Sequence, residues 1–261
     1  AVQAQPGKGV RWSRDGQSYF KATAAGIEAY PLSGEAPSVK VPASSYHGIS
    51  IKDFYFSEDE KKLLLYTNAK KVWRYETRGD YWVLDIATGR LQQLGKDKPA
   101  SSLMFAKLSP DGRKAAYVSE HNIFVEDLAT GAVTPITTNG TRRFINGTFD
   151  WAYEEEFGCR DGFRWSPDGQ RIAYWQIDAT KIRDFLMINN TDSIYSFTIP
   201  VEYPKAGESP SACRIGVADI RTAKTTWMQV PGDQQQHYIP RMEWVPGTNT
   251  LIIQQLNRKQ N

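Results

Sequence analysis

Short runs of hydrophobic residues alternate along this chain with turn-forming residues, and each run has the length of a single strand. Four runs are rich in leucine, aromatic and β-branched residues: Lys62–Tyr66, Lys114–Val118, Arg171–Gln176 and Thr250–Gln255. Such runs, bounded by Gly, Pro, Asp and Ser, are typical of β-strands. No apolar run exceeds four residues, whereas a membrane-spanning helix needs about 20. The pattern therefore predicts an all-β protein with no membrane span in this chain.

A turn phrase, Ser-Pro-Asp-Gly in its clearest copies, precedes these runs. Its five copies are 44, 52, 57 and 79 residues apart and begin at Ser13, Ser57, Ser109, Ser166 and Val245. Proline fixes φ at about −65°, Asp bonds to nearby backbone, and Gly accepts a positive φ. The phrase therefore predicts a tight hairpin turn.

A second phrase, Asp-x-Ala-Thr-Gly, follows at a distance and ends at Gly89 and Gly131, with a degraded copy ending at Thr222. It predicts the end of one strand and a reversal into the next, at 132–137 in the clearest copy. Units of about 40–50 residues with four strands are typical of propeller blades. The two widest intervals between turns predict insertions.

We therefore predict an all-β fold, a β-propeller of four-stranded antiparallel blades, with about five of an expected eight blades present. The alternative is a β-sandwich in which the turns recur by coincidence. The last copy begins near Arg241 and is incomplete at Asn261. We expect residues 1–261 to be part of a longer propeller domain.

Charge and composition limit the classes of molecule that this chain is expected to bind. The net charge of +3 is spread along the chain without a basic block, which argues against a nucleic-acid partner. Two cysteines, Cys159 and Cys213, are too few for a structural zinc site, and the sequence leaves open whether they pair. Three histidines are expected to be surface or loop residues: His47, His121 and His237. We expect no metal and no cofactor.

The segment Asn146–Gly158 is the main candidate for chemistry, because it interrupts the repeat just before the fourth turn. It sets three consecutive glutamates, Glu154 to Glu156, among four aromatic residues: Phe149, Trp151, Tyr153 and Phe157. In a short helical turn, two of the three carboxylates can point roughly the same way. Such a pair in an aromatic setting can bind an ammonium, which has three donors. The alternative is a solvated acidic face.

The segment Asp150–Phe157, Asp-Trp-Ala-Tyr-Glu-Glu-Glu-Phe, closely resembles the double-glutamate motif of dipeptidyl peptidase IV and its relatives in the prolyl oligopeptidase family. The turn within Phe163–Tyr174 and the Tyr-Pro-Lys-Ala-Gly of Ile199–Gly207 resemble the same family. Upstream, Lys71–Tyr75 resembles the segment in which that family places a substrate-facing arginine. The resemblance extends over the whole chain and is strongest at 146–207.

The resemblance implies a role for each residue of the motif. It implies that Glu155 and Glu156 bind the free α-amine of a peptide substrate and that Arg74 binds the carbonyl of its penultimate residue. It implies supporting positions for three neighbours: Trp151, Tyr153 and Glu154. It also implies that residues 184–210 form an arm that builds a homodimer.

The predicted function is therefore substrate gating and amino-terminus recognition in a serine exopeptidase that releases Xaa-Pro or Xaa-Ala dipeptides. An extended peptide advances about 3.3–3.6 Å per residue, so carboxylates about 7 Å from a nucleophile select dipeptides. One alternative is a prolyl tripeptidyl peptidase. Another is a non-enzymatic, TolB-like periplasmic binding propeller.

The chain contains no Gly-x-Ser-x-Gly nucleophile elbow; its nearest segment, Gly207–Ser211, ends in serine. The resemblance implies that the catalytic triad lies in a C-terminal α/β-hydrolase domain absent from residues 1–261. We expect this chain to be inactive alone and to have that domain, a second copy and peptides with a free amino terminus as its partners. We expect a periplasmic or secreted location, with the signal peptide outside this chain.

Overall fold

The computed structural model describes residues 10–261, and the chain divides into two compact units. The first unit comprises the chain up to Tyr117 together with Glu126–Val133, and the second comprises Val118–Val125 with Thr134–Asn261. Segment 1–9, in which the sequence shows no signal peptide, lies outside the described residues. The described part includes no helix with the length and apolarity needed to cross a bilayer.

The first unit is built from hairpins. Its strands are β1 (Val10–Trp12), β2 (Ser18–Thr23), β3 (Gly26–Pro31), β4 (Ser38–Pro42), β5 (Asp53–Phe56), β6 (Lys62–Val72), β7 (Tyr75–Asp85), β8 (Leu91–Gln93) and β9 (Leu103–Leu108). The first four pair in chain order, and so do β5 to β8, all antiparallel. A 3-10 helix, Ala43–Tyr46, connects the two sets. Phe20, Ile27, Phe54 and Leu63 pack in their shared core.

A third set of strands has residues in each of the two units. It comprises β10 (Lys114–Ser119), β11 (Asn122–Asp127) and β12 (Val133–Pro135). The strands follow β9 in the order β9-β10-β11-β12. The run predicted at 114–118 is therefore a strand, and the strand predicted at 132–137 is the shorter β12.

The second unit holds a fourth set of strands with two insertions. Its elements are β13 (Phe144–Asn146), α1 (Trp151–Phe157), β14 (Phe163–Trp165), β15 (Arg171–Asp178), β16 (Asp184–Asn189), β17 (Phe197–Glu202), β18 (Ala212–Asp219), β19 (Thr225–Trp227), β20 (His237–Trp244) and β21 (Leu251–Asn257). β14 pairs with the first half of β15 and β13 with its second half. Helix α1 therefore occupies a break in the edge strand of this blade.

The second insertion is a separate hairpin, β16 with β17, between β15 and β18. β15 pairs with β18 along its whole length, and β18 pairs with β19. β20 and β21 form a further antiparallel pair. The prediction of four-stranded antiparallel units with insertions at the two wide intervals is thus confirmed.

The core of the second unit contains both cysteines and one histidine. Cys159 and Cys213 are buried and unpaired, and burial raises the pKa of their thiols to about 11 and about 12. The expectation that His237 is a surface or loop residue is wrong. Its ring is buried in β20, with Nε2 3.0 Å from the carbonyl of Cys213 and Nδ1 2.8 Å from Gln255 Nε2.

The Ser-x-Asp turns close on themselves through one shared hydrogen-bond pattern. In each, the serine hydroxyl donates to the aspartate two residues later at 2.5–2.7 Å, and that oxygen accepts a backbone N–H two residues further on. The serine oxygen accepts the N–H five residues on. The four pairs are Ser13 with Asp15, Ser57 with Asp59, Ser109 with Asp111, and Ser166 with Asp168. The hydroxyl hydrogen bond lowers the pKa of Asp15, Asp59 and Asp168.

The second turn phrase also repeats in three dimensions. Its aspartate accepts hydrogen bonds from the N–H and the hydroxyl of the threonine three residues later, in the pairs Asp85 with Thr88, Asp127 with Thr130, and Asp219 with Thr222. The next residue is left-handed in all three copies: Gly89 (φ 70°), Gly131 (φ 74°) and Ala223 (φ 56°). In the degraded copy, Ala223 therefore adopts the left-handed conformation that glycine adopts in the other two, at a cost of about 1–2 kcal/mol.

Substitution of Ala223 with glycine should stabilise the protein. Relief of the left-handed strain outweighs the greater backbone entropy of glycine in the unfolded chain, so we expect a gain of up to about 1 kcal/mol. Differential scanning calorimetry of A223G measures it as a higher melting temperature. The reciprocal G131A should melt lower, since an added Cβ there meets no neighbour and brings only backbone strain. A lower melting temperature for A223G would contradict this assignment.

Candidate functional site

Helix α1 begins and ends at residues suited to those positions. Asp150 is the N-cap, with an extended backbone and a carboxylate Oδ1 that accepts the N–H of Tyr153 at 3.1 Å. Gly158 ends the helix in the left-handed conformation (φ 65°), and its N–H is donated to the carbonyl of Glu154. The three glutamates of the insertion therefore lie on a capped helix of seven residues.

Tyr153 anchors the helix in the core of the second unit. Its side chain is 1% exposed, and its hydroxyl accepts the N–H of Ile239 at 3.2 Å. Its ring packs on Phe149 and Phe157, with centroids 5.6 and 5.5 Å away. Burial raises the pKa of this phenol. The helix is thus fixed to β20, far away in the sequence.

The first turn of the helix is held to the segment that follows the β16–β17 hairpin. The hydroxyl of Ser211 donates to Asp150 Oδ2 at 2.5 Å, and both side chains are buried. Burial raises the pKa of Asp150, and the hydrogen bonds from Ser211 and Tyr153 act in the opposite direction. Trp151 packs on Tyr203, with ring centroids 4.3 Å apart. Two contacts therefore join the helix to 203–211.

The helix separates the three glutamates, since successive residues are rotated by about 100°. Glu154 points inward, with 7% exposure, and forms an ion pair with Arg160 whose nearest atoms are 3.5 Å apart. Burial raises the pKa of Glu154, the Arg160 charge lowers it and the Glu155 charge raises it further. Glu155 is half-buried and Glu156 is exposed. Glu154 is thus a structural residue of the helix.

A cleft of about 310 Å³ opens beside the helix, within the second unit. Three of the predicted site residues line it: Trp151, Tyr153 and Glu156. The facing wall is formed by the segment from Tyr203 to Ser211, and Tyr238 and Arg258 complete it. Glu155 is next to Glu156 on the helix but is not among the lining residues. The structure therefore places a carboxylate in an aromatic-walled cleft.

Arg74 lies in the first unit, in the turn between β6 and β7. The preceding Trp73 is left-handed (φ 55°), which tightens the turn. Asp80 braces the hairpin, because its carboxylate accepts hydrogen bonds from the N–H of Ser101 at 2.6 Å and from Asn68 Nδ2 at 2.7 Å. The joint action of Arg74 and the glutamates stays a prediction.

Several residues of the site were not expected from the sequence. Asp150 carries a local signal, because aspartate before a helical segment is a preferred N-cap. Tyr203 opens the Tyr-Pro-Lys-Ala-Gly segment that carries the resemblance, but its contact with the helix could not be read from it. Three others carry no local signal, since their contacts come from distant parts of the chain: Ser211, Tyr238 and Arg258. Within the described residues, no cluster of three or more His, Cys, Asp or Glu could hold a metal ion.

Removal of the Asp150 carboxylate should loosen the helix. D150A loses the N-cap, which is worth about 0.5–2 kcal/mol, and leaves the Ser211 hydroxyl without its acceptor. D150N keeps an oxygen for the Tyr153 N–H and should lose less. Hydrogen exchange followed by mass spectrometry should show faster exchange over 151–158 in D150A than in D150N. Equal exchange in both variants would contradict the capping role.

Comparisons with known proteins agree with this architecture. Residues 57–261 match the family described as the dipeptidyl peptidase IV (DPP IV) N-terminal region. The crystal structure of Porphyromonas gingivalis dipeptidyl peptidase 4 matches with a TM-score of 0.90 and 27% identity, covering 98% of this chain and 37% of that chain. This match confirms the propeller class of the fold.

Two curated relatives are similar over most of this chain. Inactive dipeptidyl peptidase 10 of Mus musculus is 26% identical, covering 96% of this chain and 32% of the relative. Dipeptidyl aminopeptidase B of Saccharomyces cerevisiae is 26% identical, covering 78% of this chain and 25% of the relative. The chain thus spans between a quarter and a third of the length of these relatives. The matches favour the peptidase interpretation over the TolB-like one.

Proposed function

Because this chain belongs to the family of dipeptidyl peptidase IV N-terminal regions, we propose that it binds the free amino terminus of peptides for a dipeptidyl peptidase. The observation that carries the proposal is helix α1. It is capped by Asp150, anchored by Tyr153, and sets Glu155 and Glu156 outside the core while Glu154 turns inward. A solvated acidic loop would need neither the cap nor the buried anchor.

The chemistry of this binding is charge-assisted hydrogen bonding. An α-ammonium has three donors, and neighbouring carboxylates can accept from it together. Each contact of this kind is worth about 1.5–3 kcal/mol. The aromatic wall beside Glu156, formed by Trp151 and Tyr153, lowers the local dielectric and strengthens the attraction. Acetylation of the substrate removes the charge and the contacts with it.

The proposed context is a serine exopeptidase that releases Xaa-Pro or Xaa-Ala dipeptides. A hydrolase domain C-terminal to this chain supplies the catalytic triad, while the propeller restricts entry to peptides with a free amino terminus. Arg74 binds the carbonyl of the penultimate residue. The protein acts in the periplasm or outside the cell. One relative is named inactive, so family membership alone does not establish cleavage.

Chromogenic substrates test the proposal directly on the full-length gene product. Ala-Pro amide should be cleaved, and its N-acetylated form should not. E155A and E156A should each lower kcat/KM by about tenfold to a hundredfold, which corresponds to one lost charge-assisted contact. E35A, at an exposed glutamate of the first unit, is the matched control and should match wild type.

Three outcomes of these assays decide between the proposed function and its alternatives. Equal cleavage of the free and acetylated amides would show that the glutamates do not bind the amine. A preference for a tripeptide amide would assign the tripeptidyl specificity instead. Absence of all cleavage, together with retained binding of free-amine peptides, would place the protein with its inactive relatives.

We further propose that residues 184–210, which include the β16–β17 hairpin, form an arm that builds a homodimer. The hairpin exposes a row of apolar side chains: Phe185, Leu186, Met187, Ile188 and Phe197. Ile194, in the loop that joins its two strands, is 97% exposed. Contiguous exposed apolar side chains are typical of interaction surfaces. At its base, Asp184 is held by Arg143, with 2.6 Å between charged atoms.

A charge placed on the arm should dissociate the dimer. I188E adds one carboxylate to each copy. In a dimer with two-fold symmetry, both carboxylates are then buried in the same interface. Size-exclusion chromatography with light scattering should give half the mass of wild type. L32E, at an exposed leucine in the first unit, is the control and should stay dimeric. An unchanged mass for I188E would remove the arm from the interface.

A further inference from the structure

The cleft beside helix α1 is lined by two cationic residues, Lys205 and Arg258, opposite in sign to Glu156. Arg258, just after β21, lines the same cleft. Its Nη1 donates to the hydroxyl of Tyr238 at 2.7 Å, and its Nη2 donates to the carbonyl of Glu208 at 2.9 Å. Its guanidinium carbon lies 5.7 Å from the centroid of the Tyr238 ring. The side chain is half-buried and held by both contacts.

Neither Glu156 nor Arg258 has an ion-pair partner in the part of the chain that the structure describes. Among residues 10–261, no ion pair involves Glu156 or Arg258. The nearby acid, Glu208, accepts the N–H of Lys205 with its Oε2 at 2.9 Å, so that carboxylate turns back on its own loop. Arginine stays protonated in proteins and has five donors. Arg258 therefore keeps donors for an anion.

Aromatic rings connect the two charges along one wall of the cleft. Phe157, the neighbour of Glu156, packs on Tyr238 with centroids 5.0 Å apart. Tyr238 in turn holds Arg258. A ligand that binds Glu156 by an ammonium and reaches Arg258 by an anion would lie along these rings. The cleft is thus complementary to a short zwitterionic group with an apolar stem.

We propose that Arg258 selects peptides whose amino-terminal residue is acidic. This inference rests on the proposed function, in which the α-ammonium binds the glutamates of α1. The side chain of the amino-terminal residue leaves the same carbon as the ammonium, so it is the part of the substrate placed to reach the rest of this cleft. A carboxylate and a guanidinium form paired, charge-assisted hydrogen bonds. Arg258 is therefore a specificity-determining residue.

Side-chain pairs that differ only in charge test this selection on the full-length protein. We expect kcat/KM for Glu-Pro amide to exceed that for the isosteric Gln-Pro amide by about tenfold, the lower end for one charge-assisted contact. In R258M the ratio should fall to about one, and in R258K it should be intermediate, since lysine lacks the planar fork. R221M, at an exposed arginine of the second unit, should keep the wild-type ratio.

Each outcome is decisive for Arg258. A wild-type ratio of one or less, or a high ratio that persists in R258M, overturns the inference while a retained requirement for the free amine preserves the proposed function. Loss of that requirement overturns both. If R258M does not fold, Y238F removes one hydrogen bond that orients the guanidinium, and the ratio should fall in that variant. A high ratio that persists unchanged in Y238F also rejects the selection.

Discussion

The buried carboxylate of Asp150 holds the start of helix α1, and the placement of everything on that helix depends on its two hydrogen bonds. One comes from the backbone of Tyr153 and the other from the hydroxyl of Ser211. Burial of a carboxylate is unfavourable unless its oxygens are satisfied, so a second position of the helix would leave a charge uncompensated. The energetic cost of burying this carboxylate therefore favours one position of the helix, and with it one position of Glu155 and Glu156.

Local features of this fold could be predicted from sequence because their hydrogen bonds close within five residues. Ser109, Asp111 and Lys114 form a complete turn by themselves, so the phrase alone indicates it. The site depends on longer separations: Ser211 is 61 residues from Asp150, and Ile239 is 86 from Tyr153. The surface prediction for His237 is wrong for the same reason. Its ring is satisfied by Cys213 and Gln255, which no local pattern connects with it.

Three identical residues in a row do not show by their own pattern which one is buried; only the family resemblance separated Glu154 from Glu155 and Glu156. The motif indicated acids in an aromatic setting, and the cap at Asp150 decided the rotation of the helix. With that rotation Glu154 meets Arg160 in the interior, and Glu156 reaches the cleft. The aromatic residues divide similarly, since Tyr153 packs in the core and Trp151 packs on Tyr203 of the arm. The arm and the glutamate helix are thus in contact at Tyr203.

The local hydrogen bonds of the turns and the long-range hydrogen bonds of helix α1 would behave differently if their segments were moved into another protein. A Ser-x-Asp turn brings all of its partners with it, so duplication of a blade copies a working turn regardless of its new neighbours. Helix α1 has no such independence. Grafting residues 146–158 alone into a different propeller would deliver the glutamates without the serine, the tyrosine and the backbone amide that orient them. Recognition of the amino terminus is therefore a property that only a whole blade, with both of its insertions and the strand that follows, can carry from one protein to another.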